Sequence, residues 1–201
     1  WENNGYSSVS FSYNENSEIS SADAYNSKDE YNEDGIRTSY EYSSQRRDYS
    51  DGVIDSEYTN SQKTFYDSDG NATSEESESS DKYYSNETLT QESKDSRKST
   101  YSGNTRISTG TSETKNYDSE TGEYTGKSTN EYTEKTNKDT WETISYTREY
   151  VHYNGNDVIT SKNTESKAEG SNTEVSDSES YSENGVKTSE SHRERTTVVG
   201  E

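Results

Sequence analysis

Apolar side chains are scarce in this sequence, but they recur at a nearly constant spacing. Beginning at Ile19, an apolar residue returns every 17 or 18 residues, and a series of tyrosines keeps nearly the same spacing. This regularity predicts about eleven repeat units, each too small to bury a hydrophobic face alone. The apolar series is Ile19, Ile36, Ile54, Ala72, Leu89, Ile107, Tyr124, Trp141 and Ile159, and the tyrosine series is Tyr13, Tyr31, Tyr49, Tyr66, Tyr84, Tyr101 and Tyr117.

A turn signal separates many of these tyrosines from the apolar residue that follows. It contains Asp34-Gly35, Asp51-Gly52, Asp69-Gly70 or Asn184-Gly185. Asp-Gly and Asn-Gly pairs supply the positive φ angles that tight β-hairpins require. The sequence therefore predicts an all-β fold, a repetitive antiparallel array of strands or hairpins.

The middle of each unit is polar, as in Ser43–Arg46 and Asn60–Lys63. If this middle is a turn, each unit is a hairpin of two strands of about five or six residues. If it is not, each unit is one strand of about twelve residues, near 40 Å long. We favour the hairpin. A β-solenoid is a third geometry, but solenoids usually point several apolar residues inward in each coil, and here there are about two.

Composition limits the kind of core this chain can form. Only 21% of the residues are hydrophobic, against roughly 45–50% in ordinary globular domains, so we do not expect one compact globule with a normal core. A net charge of −21 with so few apolar residues is typical of disordered chains. The absence of proline and the presence of 19 tyrosines favour strands instead. The negative charge argues against nucleic acids and anionic membranes as partners.

Three further features bear on location. The sequence has no cysteine, which excludes disulfides and thiolate metal sites. It has no recognisable signal peptide or membrane-spanning segment. It begins at Trp1 and contains no methionine, so we expect a mature product or an excerpt. We expect an extracellular or cell-surface protein that is not inserted in a membrane.

One unit resembles a known repeat. The segment Tyr66–Thr73 is similar to the YD repeat, Tyr-Asp-x-x-Gly-x-x-Thr, of bacterial Rhs-type surface and toxin-shell proteins. The units at Tyr31, Tyr49 and Tyr181 resemble it less closely, because Tyr31 and Tyr181 are not followed by Asp and the Tyr49 unit is one residue shorter. The resemblance covers about four units. It implies an antiparallel β-strand array that serves as a scaffold or casing.

The sequence offers few candidates for catalytic, metal-binding or modification sites. His152 and His192 lie far apart in sequence with no motif around them, so we expect no active site. Asp67, Asp69 and Asn71 place oxygen atoms at alternate positions, as in a calcium loop, but the final Glu of an EF-hand is missing. We favour a hairpin turn there, and calcium is the one cofactor considered. Asn71 and Asn86 are candidate N-glycosylation sites.

Stability must come from repetition. We expect the apolar and tyrosine series to stack in register as two ladders, whose cross-strand pairs each contribute roughly 0.2–1 kcal/mol. A thin array has open edges that invite pairing with other copies. The leading hypothesis is a self-associating structural subunit of an extracellular filament or scaffold, for which covalently attached glycans are also considered. The alternatives are an adhesin stalk or carbohydrate-binding module and an acidic calcium- or mineral-binding matrix protein. We expect residues 1–160 to form the regular array and residues 161–201 to form irregular terminal repeats or an assembly or capping segment.

Overall fold

In a computed structural model, residues 4–197 are described, and they form one antiparallel sheet of twelve strands. The strands lie in the sheet in the order in which they occur along the chain. This part of the chain contains no helix, so the predicted all-β antiparallel array is confirmed. The strands are β1 (Asn4–Tyr13), β2 (Ile19–Tyr31), β3 (Arg37–Ser50), β4 (Val53–Tyr66), β5 (Ala72–Ser85), β6 (Thr88–Ser102), β7 (Thr105–Tyr117), β8 (Tyr124–Asn137), β9 (Thr143–Asn154), β10 (Ile159–Lys167), β11 (Thr173–Tyr181) and β12 (Lys187–Thr196).

Each repeat unit is one long strand followed by one turn. The polar segment Ser43–Arg46 lies inside β3, and Asn60–Lys63 lies inside β4. The preference for two short strands in each unit is therefore wrong, and residues 4–197 form an open sheet in place of a solenoid. Long polar strands form because both faces of this sheet are solvated, so a polar middle needs no turn. Main-chain hydrogen bonds to the strands on either side satisfy its backbone.

The predicted hairpin turns use a side-chain amide or carboxylate as a local acceptor. In the turn after β2, Asn32 Oδ1 accepts the main-chain N–H groups of Asp34 and Ile36 at 3.0 and 2.8 Å. Gly35 has a φ of 78° and donates its N–H to the Asn32 carbonyl oxygen. Asn14 and Asn154 accept hydrogen bonds in the same way in two other turns. The repeated turn is thus built from Asn or Asp at its first position.

The tyrosine and apolar series meet across the turns. Tyr49 is opposite Ile54, and Tyr84 is opposite Leu89. Successive turns lie at opposite ends of the sheet, because each strand reverses the direction of the chain. The prediction of two continuous ladders is therefore wrong. The members Tyr13 and Ile19, Tyr31 and Ile36, Tyr66 and Ala72, Tyr101 and Ile107, and Tyr117 and Tyr124 likewise flank turns, as Ile159 does at the start of β10.

Trp141, a predicted ladder residue, lies in the turn between β8 and β9. Its φ is 60°, and the Trp141 N–H bonds to the Asn137 carbonyl oxygen. The turn between β7 and β8 has the same hydrogen-bond pattern with Gly122 at this position, where φ is 71°. Trp141 therefore occupies a left-handed position that usually takes glycine, and its ring is exposed.

The sheet has two chemically different faces, because side chains alternate along each strand and opposed residues share a face. We call one the tyrosine face. The other, the charged face, carries Lys28, Glu41, Lys63, Glu76 and Lys98 in one row. The tyrosine face carries Tyr6, Tyr25, Tyr40, Tyr42, Tyr58, Tyr83, Tyr101, Tyr132, Tyr146 and Tyr150.

Almost nothing is buried in this single layer. Val151, at 5% exposure, is the only buried hydrophobic residue in the described part of the chain. The fully buried side chain is polar, that of Ser99. Burial of apolar surface therefore contributes little, and the stability comes from hydrogen-bonded ladders and cross-strand pairs summed over the array.

The sheet continues past residue 160. β10 spans that position, and β10 and β11 are shorter, at nine residues each. Their pairing with β9 and β12 is antiparallel, like that of the other strands. Of the predicted terminal segment, residues 198–201 lie outside the described residues.

Glu87 offers a direct test of the turn chemistry. It follows Asn86 between β5 and β6, where Ser85 pairs with Thr88, and both turn residues have positive φ, 49° and 66°. Asn-Gly is the preferred sequence for such a two-residue turn. We expect Glu87→Gly to raise the free energy of unfolding by about 1 kcal/mol in urea denaturation. The control is Glu120→Gly, at a turn position without positive φ, which should bring no such gain.

Candidate functional site

A cluster of aromatic rings lies at the β1 side of the tyrosine face. The ring centres of Tyr6 and Tyr25 are 6.0 Å apart, and those of Tyr25 and Tyr42 are 5.6 Å apart. The hydroxyl groups of Tyr25 and Tyr40 are 3.1 Å apart, and Asn60 Nδ2 donates to Tyr42 Oη at 2.6 Å. The register brings these rings together from three neighbouring strands, β1 to β3, and Asn60 adds an amide from β4. The result is an exposed aromatic surface edged by hydroxyl and amide groups.

Arginines cover other tyrosines of the same face. The Arg37 guanidinium lies 4.5 Å from the ring centre of Tyr40 and 5.2 Å from that of Tyr66. Arg148 lies 4.8 Å from the ring centre of Tyr146. These distances fall within the range of cation–π attraction. The arginines therefore restrict the positions of rings that have no hydrophobic core to pack against.

A small pocket lies on the tyrosine face beside Gly110. It has a volume of about 200 Å³, and its lining includes Asn60, Asp95, Arg97, Asn130 and Tyr132. A Cβ atom at Gly110 would lie 2.5 Å from Tyr132 Cε1, so the missing side chain makes room for the ring. Burial, reinforced by a neighbouring carboxylate, raises the pKa of Asp95. A phenol ring beside amide, guanidinium and carboxyl groups suits a small polar ligand such as a sugar.

Two ladders of alternating charge cross the charged face. The first is the row from Lys28 to Lys98, in which every residue is opposite a residue of the other sign. Within it, Lys63 pairs with Glu41, and Lys98 Nζ lies 2.6 Å from Glu76 Oε1. The second ladder consists of Arg47, Glu57, Lys82, Glu92 and Lys115.

The second ladder shifts the ionisation of its members. The Tyr84 hydroxyl donates to Glu57 Oε2 at 2.9 Å, and Arg47 Nε donates to Glu57 Oε1 at 2.8 Å. These bonds hold the pKa of Glu57 below its usual value. Most charged side chains of the two ladders therefore lie opposite a side chain of the other sign. The excess of negative charge that gives the chain its net −21 falls elsewhere.

These ladders leave no trace in the 17- or 18-residue spacing of the chain. Lys28 and Glu41 are 13 residues apart, and Glu41 and Lys63 are 22 apart, so no fixed period connects them. They are related instead by reflection about the turns, since Lys28 and Glu41 lie at equal distances from the Asp34-Gly35 pair. Opposite charges placed symmetrically about a turn are the signal of such a ladder in the sequence.

A shallow groove runs across the strands of the charged face. One section, of about 670 Å³, crosses β5 to β10, and another, of about 790 Å³, crosses β3 to β8. Hydroxyl and charged side chains alternate along its walls, among them Ser61, Glu78, Ser96 and Thr111. This lining is hydrated and polar, and it offers no apolar enclosure.

Several tyrosines titrate above their ordinary pH range. Burial, together with a hydrogen bond to Asp157 Oδ1 at 2.9 Å, raises the pKa of Tyr124 from 10.0 to about 12. Burial also raises the pKa values of Tyr58 and Tyr101. A raised value in the folded state means that the stability linked to these groups is complete below pH 10 and is lost as the pH rises through the raised values.

We therefore expect the sheet to lose stability between about pH 10 and pH 12. Ultraviolet absorbance of tyrosinate and far-ultraviolet circular dichroism, followed together during an alkaline titration, would measure it. Tyr124→Phe should remove the part of the stability loss that occurs at the highest pH. Titration of all tyrosines at the pKa of the free side chain, with no change in unfolding free energy, would contradict the expectation.

The candidate calcium residues form a turn between β4 and β5. Asp67 Oδ1 accepts the N–H groups of Asp69 and Asn71, each at 2.9 Å. These bonds lower the pKa of Asp67. Asn14, Asn32 and Asn154 accept the corresponding pair of N–H groups in their own turns without carrying a charge. The role of the Asp67 side chain in its turn is therefore sufficient to account for its oxygen atoms. No group of three or more His, Cys, Asp or Glu side chains placed to hold a metal ion occurs within residues 4–197.

The candidate glycosylation sites are both in exposed turns. Asn71 lies between β4 and β5, and Asn86 lies between β5 and β6. These turns are at opposite ends of the sheet. An attached glycan at either position would extend from a sheet end and leave the two faces free.

The two histidines are on opposite faces. His152 is on the tyrosine face, opposite Ser128. His192 is on the charged face, where Nδ1 lies 2.6 Å from Asp177 Oδ1 and Nε2 lies 3.3 Å from Glu194 Oε1. The contact with Asp177, with a smaller effect from Glu194, raises the pKa of His192. The structure therefore does not bring the two imidazoles together.

In the part of the chain that the structure describes, no helix has the length and apolar character needed to cross a membrane. No protein-family model matches this sequence, and its comparison with curated proteins finds no match.

Proposed function

We propose that this chain is a non-enzymatic structural subunit of an extracellular or cell-surface filament or scaffold. The observation that carries the proposal is the open single-layer sheet, in which β1 and β12 each pair with only one strand of the described chain. A strand edge presents main-chain donors and acceptors to other chains. The resemblance of the Tyr66 unit to YD repeats implies a role of the same kind.

The surface chemistry also supports a structural role. The charged face is hydrated, and its pairs are distributed along the array with no focus at one point. The strand ends and turns carry exposed Asn, Ser and Thr, including the candidate glycan acceptors Asn71 and Asn86. A large hydrated surface made by repetition suits a spacer or scaffold that works outside the cell.

Sedimentation velocity and negative-stain microscopy over a range of concentrations test the proposal. We expect concentration-dependent association and extended particles. A folded monomer that persists at high concentration would count against a filament or scaffold subunit.

A carbohydrate-binding surface is the second candidate, and the rings of Tyr6, Tyr25 and Tyr42 favour it. Aromatic faces beside amide groups, as at Asn60, are suited to sugar rings. A glycan array tests this role. Selective binding that is lost in Tyr42→Ala, by a chain that does not associate, would favour the binding module over the scaffold.

A further inference from the structure

The first strand differs from every other strand in its charge. β1 (Asn4–Tyr13) contains no Asp, Glu, Lys, Arg or His, whereas each of the other eleven strands contains at least two of them. β1 is also an edge strand, which pairs only with β2 among the described residues. Natural proteins commonly place charges on edge strands to prevent pairing with other chains. β1 lacks this protection.

Large apolar side chains are exposed on the same strand. Val9 is 66% exposed and Phe11 is 53% exposed. They are two residues apart and so lie on the same face. Tyr6 and Tyr13 are exposed as well. A concentration of exposed apolar groups on an unprotected edge is typical of an interaction site.

The opposite edge has the reverse character. All ten residues of β12 are exposed. They include Lys187, Glu190, Arg193, Glu194 and Arg195. Pairing at this edge would desolvate several charged side chains, which is costly. The two edges of the sheet formed by residues 4–197 are therefore unequal, and of these two strands β1 is the one that can be covered without removing a charge from water.

We propose that β1 is the edge through which two copies of this chain pair, antiparallel and around a two-fold axis perpendicular to the sheet, with Ser10 opposite Ser10 of the second copy. The proposal rests on the self-association in the proposed function, and it names the contact. Each copy carries a net charge of −21, so the copies repel each other generally. An uncharged strand is where they approach at the lowest electrostatic and desolvation cost.

Side-chain alternation restricts the register, and the pairing of Val9 with Phe11 selects one of the registers that it allows. A two-fold axis perpendicular to the sheet keeps each face continuous, so paired residues must be both odd or both even in number. With Ser10 at the axis, Val9 is opposite Phe11 of the second copy and Phe11 is opposite its Val9. Aromatic and β-branched residues form favourable cross-strand pairs. Centring on Val9 would instead place Phe11 opposite Ser7 and lose both pairs.

The pairing closes after two copies. It joins two sheets into one of 24 strands (12 + 12) whose outer edges are both the charged β12. An isologous contact of this kind cannot polymerise alone. Longer assemblies would therefore be built from dimers through contacts other than β1.

Single cysteines test the register, because the natural chain has none. Opposed Cα atoms in an antiparallel pair are about 4.5–5.5 Å apart, within the range of a disulfide. We expect Ser10→Cys to form a disulfide-linked dimer under mild oxidation. Ser8→Cys and Ser12→Cys should each remain uncrosslinked alone and should crosslink when mixed. Ser191→Cys, in the middle of β12, is the matched control and should stay monomeric.

A second measurement tests the edge without relying on crosslinking. Val9→Lys combined with Phe11→Lys should weaken the dimer by roughly tenfold or more in sedimentation velocity. Ser189→Lys combined with Ser191→Lys places the same charges on β12 and should leave association unchanged. Circular dichroism verifies that both variants keep their strands.

The outcomes separate this inference from the proposed function. Failure of Ser10→Cys to crosslink, or unchanged association of the double-lysine β1 variant, would overturn the β1 pairing. Crosslinking between Ser10→Cys and Ser191→Cys would show head-to-tail pairing of β1 with β12 and would also overturn it. If dimers form through β1 but no larger assembly does, the pairing stands and the filament role fails.

Discussion

Replacement of Gly126 by alanine is expected to lower the free energy of unfolding by about 3 kcal/mol. Gly126 is buried near the start of β8, and its φ of 146° is rarely adopted by L residues. A Cβ atom there would overlap the main-chain carbonyl oxygen of Tyr153 in the neighbouring β9. The carbonyl belongs to the backbone of a paired strand, so relieving the overlap shifts the main chain of β8 or β9 and disturbs their pairing.

Gly5→Ala is the matched control. Gly5 is also in a strand, but a Cβ atom there would lie 3.4 Å from the Ser27 carbonyl oxygen, an ordinary contact. Urea denaturation gives the overall change, and hydrogen exchange locates it. We expect loss of protection in β8 and β9 of Gly126→Ala and almost no change in Gly5→Ala. Equal stability of the two variants would mean that β8 and β9 approach each other less closely.

The second large effect is expected at Ser99, whose side chain has 0% exposure. Its Oγ atom lies 3.0 Å from Ser108 Oγ on the neighbouring strand, and Arg106 Nε donates to it at 3.3 Å. Ser108 is 4% exposed, so water cannot replace a lost partner there. We expect Ser99→Ala to lower the free energy of unfolding by about 2 kcal/mol, because it leaves buried polar groups without their hydrogen bond.

A double-mutant cycle tests this explanation. Removing both hydroxyl groups removes the unsatisfied partner as well, so Ser99→Ala combined with Ser108→Ala should cost less than the sum of the single changes. The expected coupling energy is about 1 kcal/mol. Additive effects in urea denaturation would indicate that the two hydroxyl groups do not depend on each other. Thr59→Ala is the control for loss of a hydroxyl group at an exposed site, where water can replace the lost partner.

These sites show how a sheet without a hydrophobic core is held together. Gly126 allows close approach of two backbones, Ser99 supplies a buried hydrogen bond, and Gly110 accommodates the ring of Tyr132. None of them contributes much apolar burial. Each makes neighbouring strands fit closely, and the cross-strand ladders then add up along twelve strands.

The turns were the best-predicted part of the fold. Asp34-Gly35 and Asp69-Gly70 mark turns that the structure contains, with positive φ at both glycines. The turn favoured at Ser43–Arg46 is wrong, because a cluster of polar residues is typical of a turn in a sheet with a buried face. Here both faces are wet, so the same residues continue β3.

The candidate sites also differ in whether neighbouring residues are enough to identify them or strand register is needed. Asp67 could be assigned to a turn from its neighbours alone, because its hydrogen bonds reach only residues within the same turn. The clustering of Tyr6, Tyr25 and Tyr42 could not be assigned, because it needs the register of three strands. Arg97 and Asn130 line the pocket beside Gly110, but they lie on β6 and β8, which are not adjacent.

Strand content, the spacing of the units and the Asp-Gly and Asn-Gly turns can be predicted from the residues alone, because these depend on local backbone preferences and on neighbours within a few residues. The number of strands in each unit, the alternating charge ladders, the two distinct faces and the position of uncharged β1 at an edge of the described sheet emerge only when the strands pair. All of them depend on register. Pairing reverses at every turn, so residues 13 and 22 positions apart, such as Lys28, Glu41 and Lys63, become neighbours only when adjacent strands are aligned.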